Sequence, residues 1–242
     1  MELLQKSPLV ETTCEIIFMP SPVYDTTLPG MLFMKLENEF PVKNERPGGI
    51  IMAPKIDNNR ETEVQSVQLS QFFSSDNSQV VQIGKDILVN NMLKPYKGWD
   101  VFKRQIIKVV EAYSSNFVEK PVIRKVLLRY MNVFNFNDGV NHSDVFTFNL
   151  GNPPEEKYQK NRAFNSSLEY DSENGGILSL GYRTVYPNAP FQQSIVMEIT
   201  NQQIVPKSIS FENFDSWLEV AHLEIENLFL ASLTQDFKDS IL

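Results

Sequence analysis

Residues 122–136, VIRKVLLRYMNVFNF, alternate over much of their length and are rich in valine, leucine and aromatic side chains, the signature of a long β-strand. Within this apolar run stand Arg124, Lys125 and Arg129. Charged side chains are seldom buried unless paired, so such a strand calls for carboxylates nearby. Residues 9–19, LVETTCEIIFM, supply them: a second β-rich segment in which Glu11 and Glu15 fall on one face. If the two segments pair antiparallel, Arg124 comes within reach of these carboxylates, and an arginine–carboxylate fork is both directional and costly to break when half-buried. The cations then have two readings. In the structural one they lock two halves of a sheet in register; in the functional one Arg124, Tyr130 and Asn132, which share a face by period two, join Glu11 and Glu15 around an anionic ligand on an open sheet face. Arg129 falls on the face opposite to Arg124 unless a bulge intervenes.

Outward from these two strands, the same order of elements runs twice. After residues 9–19, Pro20 and Pro22 break the chain, and LPGMLFMKLENEFP places Phe33, Leu36 and Phe40 at helical spacing before Pro41. GGIIMAP, EVQSVQLSQFF, SQVVQI and DILVNNM read as strands, the last two as a hairpin around Gly84-Lys85-Asp86. A helix from about Trp99 closes this half with an apolar stripe of Phe102, Ile106, Val109, Tyr113 and Phe117. Beyond Pro121 come the quoted strand, a residual helix in SDVFTFNLG, the loop GNPPEEKYQKN, a hairpin of AFNSSLEYD and ILSLGYRTV around SENGG, and the strand SIVMEIT. A final helix begins near Ser216, with Glu219 at capping-box spacing and Trp217, Ala221 and Leu228 on its apolar face. Pro8-Leu9-Val10 and Pro121-Val122-Ile123 recur half a chain apart, as do Trp99 and Trp217. The expected fold is therefore α+β: two tandem β-α-β(3–4)-α repeats, residues 1–120 and 121–242. They form one compact unit whose curved antiparallel sheet carries helices on one face, with the saddle or grip shape of TATA-box-binding-protein-like repeats.

Composition narrows the partners. The 42% hydrophobic content supports a sizeable core, and 22 Lys and Arg against 30 Asp and Glu leave a net charge of −8, which disfavours nucleic acid. The single cysteine, Cys14, has a strand setting and can form no intramolecular disulfide. The start, MELLQKSPLVE, lacks the pattern of a secretion signal, and no apolar run reaches membrane-spanning length, so a soluble cytoplasmic protein is expected.

Local motifs for chemistry are sparse. Asp138, His142 and Asp144 lie near one another in sequence but lack the ligand density of a metal loop. His222, with Glu219 and Glu226 in helical reach, reads as part of a surface ion pair. DSENGGILSLGY begins like a calcium loop, yet a glycine at its fifth position and a tyrosine at its twelfth replace ligands, leaving a β-turn. No nucleophile elbow or phosphate-binding loop occurs, so no catalytic residue, metal or cofactor is assigned.

SPLVETTCEIIF, PYKGWDVFKRQI and LLRYMNVFNF, in that order and spacing, resemble a sporadically distributed family of uncharacterised prokaryotic proteins of similar length. The matching positions are Pro8, Glu11, Glu15 and Phe18, then Tyr96, Trp99 and Phe102, then Arg129, Tyr130 and Asn132. The resemblance implies a cytoplasmic bacterial or archaeal protein whose patchy occurrence suits an accessory of a mobile-element or phage-defence locus, and it implies no catalytic residues. The expectation is a non-enzymatic binding or protein-interaction module, with an unidentified protein or a second copy of the chain as partner. The alternative is an enzyme or ligand-binding protein acting on a phosphate-bearing or other anionic small molecule at the open sheet face.

Overall fold

A computed structural model describes residues 7–20, 25–54, 62–136, 142–148, 163–186, 193–204 and 209–241, with side chains for all of these except 46–54 and 62–68. Its nine strands are β1 (Leu9–Phe18), β2 (Val42–Pro54), β3 (Thr62–Phe73), β4 (Gln79–Gly84), β5 (Ile87–Leu93), β6 (Ile123–Phe136), β7 (Asn165–Asp171), β8 (Ile177–Val185) and β9 (Gln193–Ile204). The helices are α1 (Leu28–Leu36), α2 (Trp99–Ser114), α3 (Phe214–Ala231) and α4 (Gln235–Ile241). All nine strands join one open antiparallel sheet in the order β2-β3-β4-β5-β1-β6-β9-β8-β7. The α+β class is thus established, and the two segments that opened the sequence reading lie side by side at its middle.

Period two explains which face became the core. On β1, Thr12, Cys14, Ile16 and Phe18 are buried on one side, matched on β6 by Val126, Leu128, Tyr130 and Phe134. The four helices contribute to the same core, through Leu32 and Leu36 of α1, Phe102, Ile106 and Val109 of α2, Leu218, Ala221 and Ile225 of α3, and Ile241 of α4. On the other face, where β1 presents Glu11, Thr13 and Glu15 and β6 presents Leu127, Arg129 and Met131, no described helix packs.

Register at the centre is set by Thr13 opposite Arg129 and Cys14 opposite Leu128. It slips between Ile17 and Phe18, whose partners are Lys125 and Ile123, so a bulge takes up Arg124. That extra residue is why strict alternation counted from Arg124 assigns the wrong faces further along β6.

Several boundaries differ from the sequence expectation. SDVFTFNLG is no residual helix over its described residues: it makes a single 3-10 turn, His142–Asp144, and one bridge from Phe146 to Leu233, while Val145 and Phe146 plug the core. The last helix starts at Phe214 behind Asn213, so Ser216 lies in its first turn and makes no capping bond. A separate short helix, α4, follows it. The loop GNPPEEKYQKN lies outside the described residues. Both turn expectations hold: Gly84 faces Ile87 across a hairpin turn with Asp86 at φ 58°, and Ser172 closes on Gly176 through Gly175 at φ 75°.

Candidate functional site

On the helix-free face, polar side chains of five neighbouring strands form one hydrogen-bonded row. Gln71 on β3 donates through Nε2 to Gln82 Oε1 on β4 at 2.7 Å, and Gln82 donates to Asn91 Oδ1 on β5 at 2.8 Å. Asn91 Nδ2 donates to Glu11 Oε1 at 2.7 Å and to the Thr13 hydroxyl at 3.0 Å, both on β1. Thr13 in turn donates to Glu11 Oε1 at 3.3 Å and accepts from Arg129 Nη2 on β6 at 3.3 Å. Because an amide offers donors and an acceptor on one planar group, each member relays to the next strand; the guanidinium, which only donates, ends the row. Gln71, Asn91 and Thr13 are buried among their neighbours, while Gln82, Glu11 and Arg129 remain half-buried.

Arg129 is the unusual member. Its Nε is buried without a hydrogen-bond partner, and among the described residues no carboxylate forms an ion pair with it. A guanidinium carries five donors in a planar fork, so this one retains capacity for an acceptor.

Beneath the helices, a second cluster joins the two long ones. Trp99, at the start of α2, stacks on the His222 ring of α3 with centroids 4.1 Å apart. His222 Nδ1 lies 2.8 Å from the Tyr130 hydroxyl, which is 3.4 Å from that of Tyr96. His222 Nε2 sits 3.7 Å from Glu226, and Glu219 accepts from Trp99 Nε1 at 3.1 Å and from Lys103 at 2.6 Å. Lys103 also reaches Asp215 at 2.8 Å. Burial pulls the imidazole down to about 4, so His222 is neutral at physiological pH. Burial likewise raises both phenols, Tyr96 to about 12. The Glu226 carboxylate beside Nε2 favours the ring proton on that nitrogen, which leaves Nδ1 to accept from the Tyr130 hydroxyl. Burial works against ionisation of Glu219, but the hydrogen bonds from Lys103 and Trp99 outweigh it and hold its carboxyl below the usual range.

The five residues singled out from sequence are divided between these places. Glu11 joins the polar row and Glu15 lies on the same face, whereas Tyr130 is under the helices, bonded to His222, and Asn132 is buried on that side, opposite Met197. Arg124 occupies the bulge and, among the described residues, makes no ion pair with Glu11 or Glu15. The cation that joins the Glu11 row is Arg129, through Thr13. His222, expected at the surface, is only 4% exposed. Cys14 is fully buried and its thiol is pushed up by burial, the setting of an inert core cysteine.

Sequence reasoning missed the polar row because none of its links is local: Gln71, Gln82, Asn91 and Arg129 meet only once the strand order is known. A period-two signal was nonetheless present in Glu11, Thr13 and Glu15. A groove of about 540 Å³ between α3 and the β8–β9 end, lined by Asn174, Gln203, Asn213 and Trp217, contains none of the five residues. Among the described residues no three His, Cys, Asp or Glu side chains converge as a metal site, and His142 instead bonds Gln193 at 2.8 Å. No described helix is long and apolar enough to cross a membrane. In comparisons with known proteins, no family model and no curated protein matches the chain.

Proposed function

We propose that the protein is a binding module whose working surface is the helix-free face of the sheet, and that its occupant is another protein. The observation supporting this is the row from Gln71 to Arg129, which holds polar groups of five strands in fixed positions on the face that no described helix covers. Preorganised side chains lose little entropy on binding, and amides and a guanidinium suit the acceptor-rich backbone of a protein surface. The module is a tandem repeat shaped like a TATA-box-binding-protein grip. In support, β1 and β6 form the central pair, strands follow outward on both sides, and Asn90 and Asn201 stand opposite the paired central residues Cys14 and Leu128. Its setting is a prokaryotic cytoplasm, as an accessory of a mobile-element or phage-defence locus, in keeping with the resemblance of its strand and helix motifs. The test is comparative affinity capture from the native cells. Gln82→Glu with Arg129→Glu is expected to lose a partner that wild type and the α2 surface variant Glu111→Lys retain. Equal recovery by all three would contradict partner binding at the helix-free face.

A second reading rests on the half-buried guanidinium of Arg129, which has no ion-pair partner among the described residues: an anionic, phosphate-bearing small molecule bound at the same face. A ligand at 100 times its dissociation constant stabilises the folded state by about 2.7 kcal/mol. Thermal unfolding against nucleotides and sugar phosphates tests it, the expected result being a rise for wild type that Arg129→Gln abolishes.

A further inference from the structure

We infer that the β7 edge is a self-association site at which a second copy of this chain adds its own β7 across a two-fold axis centred on Leu168. β7 is the last strand of the sheet and all seven of its residues are exposed. Its outward hydrogen-bonding groups follow from the ladder with β8. Phe164 accepts from the Thr184 amide and Ser172 donates to the Gly176 carbonyl, at positions that continue the same register. Even-numbered residues thus bond inward, and by antiparallel alternation the N–H and C=O groups of Asn165, Ser167, Glu169 and Asp171 point away from the sheet. Such an edge is a template for another strand.

Its side chains select the occupant. Pairing about Leu168 uses all seven residues and sets Glu169 against Ser167 of the second copy and Asp171 against its Asn165. Each carboxylate then faces a hydrogen-bond donor, and no like charges stand directly opposite. Shifting the axis to Glu169 would oppose Glu169 to its own copy. On the helix side of the strand, Leu168 and Tyr170 are 46% and 44% exposed. In the Leu168-centred register Leu168 packs on Leu168 of the second copy and Tyr170 lies over its Ser166. The contact is isologous, as closed two-fold dimers require, and it continues the sheet without occupying the helix-free face.

The register makes a cysteine test specific. Position 168 meets itself as a non-hydrogen-bonded pair, where Cα atoms about 4.5 Å apart fit a disulfide, whereas position 166 meets position 170. Cys14 is buried and does not compete. Under mild oxidation Leu168→Cys is expected to form a disulfide-linked dimer at least tenfold faster than Ser166→Cys. In light scattering, wild type is expected to rise with concentration toward twice its 27.8 kDa mass. Ser167→Pro, which removes an outward donor and leaves the β8 ladder intact, is expected to stay monomeric with an unchanged unfolding temperature. Wild type that remains monomeric at every concentration, equal crosslinking at 168 and 166, or a folded Ser167→Pro that dimerises like wild type would each overturn the inference.

Discussion

Burial of His222 between Trp99 and Tyr130 ties stability to pH in a definite direction. Its folded value lies near 4 against the ordinary 6.5, so as pH falls the unfolded chain takes up the proton first. The contribution is full above 6.5 and is lost progressively as pH falls toward 4. The groups facing the ring, Glu219 and Glu226 of α3, Asp100 of α2 and Tyr130 of β6, do not reverse that sign. Urea unfolding at pH 7 and pH 5 is expected to show wild type losing about 2 kcal/mol more than His222→Gln, which cannot titrate. Parallel losses would contradict the buried neutral imidazole. The two asparagines beneath the helices provide a contrast of sign. Asn201 gives Nδ2 to Glu224 at 2.6 Å and to Ser172 at 3.1 Å, whereas both amide atoms of Asn90 are buried without partners. Replacing Asn201 by Leu removes a charge-assisted hydrogen bond to Glu224, whose carboxylate keeps those from Ser172 and the Glu173 amide, and is expected to cost about 1–3 kcal/mol, while Asn90→Leu is expected to be neutral or stabilising by about 1 kcal/mol. Chemical denaturation of the two variants measures both, and a loss at Asn90 would mean that its amide is satisfied in solution.

At the level of elements, the β1–β6 pair joins the two sides of the sheet, and Thr13 is its polar centre. The hydroxyl serves Glu11, Asn91 and Arg129 together. Thr13→Val keeps the shape and removes all three bonds, for an expected loss of about 1–3 kcal/mol. A paired charge at Arg124 would imply a loss of about 3 kcal/mol or more on truncation. Its placement in the bulge, without an ion pair to Glu11 or Glu15, now predicts that Arg124→Ala changes stability by no more than about 0.5 kcal/mol. Equilibrium unfolding that found Arg124 expensive and Thr13 silent would invert this assignment. The central strands, the β4–β5 hairpin and both long helices were legible in the sequence because period two, period 3.6 and turn residues are local signals. The facing of β6 was not, since one bulged residue exchanges the faces of everything beyond it. Tyr130 and Asn132 thereby moved from the expected ligand face into the core. His222 was misplaced for a related reason: its acidic helix neighbours are local, whereas the Trp99 ring that covers it comes from the other long helix.

At the scale of the molecule, four helices among the described residues bury one face of the sheet, and a row of polar side chains crosses five strands of the other. This second face is where we propose that a partner binds. The most direct test is site-specific photocrosslinking in native cells, with a photoreactive residue at Glu15 on the helix-free face or, as control, at the exposed Glu111 of α2. A partner on this face is expected to give a discrete higher-mass product from position 15, absent from position 111 and lost when Arg129→Glu is added to the same chain. Products of equal yield at both positions, or a product at 15 that survives Arg129→Glu, would contradict it.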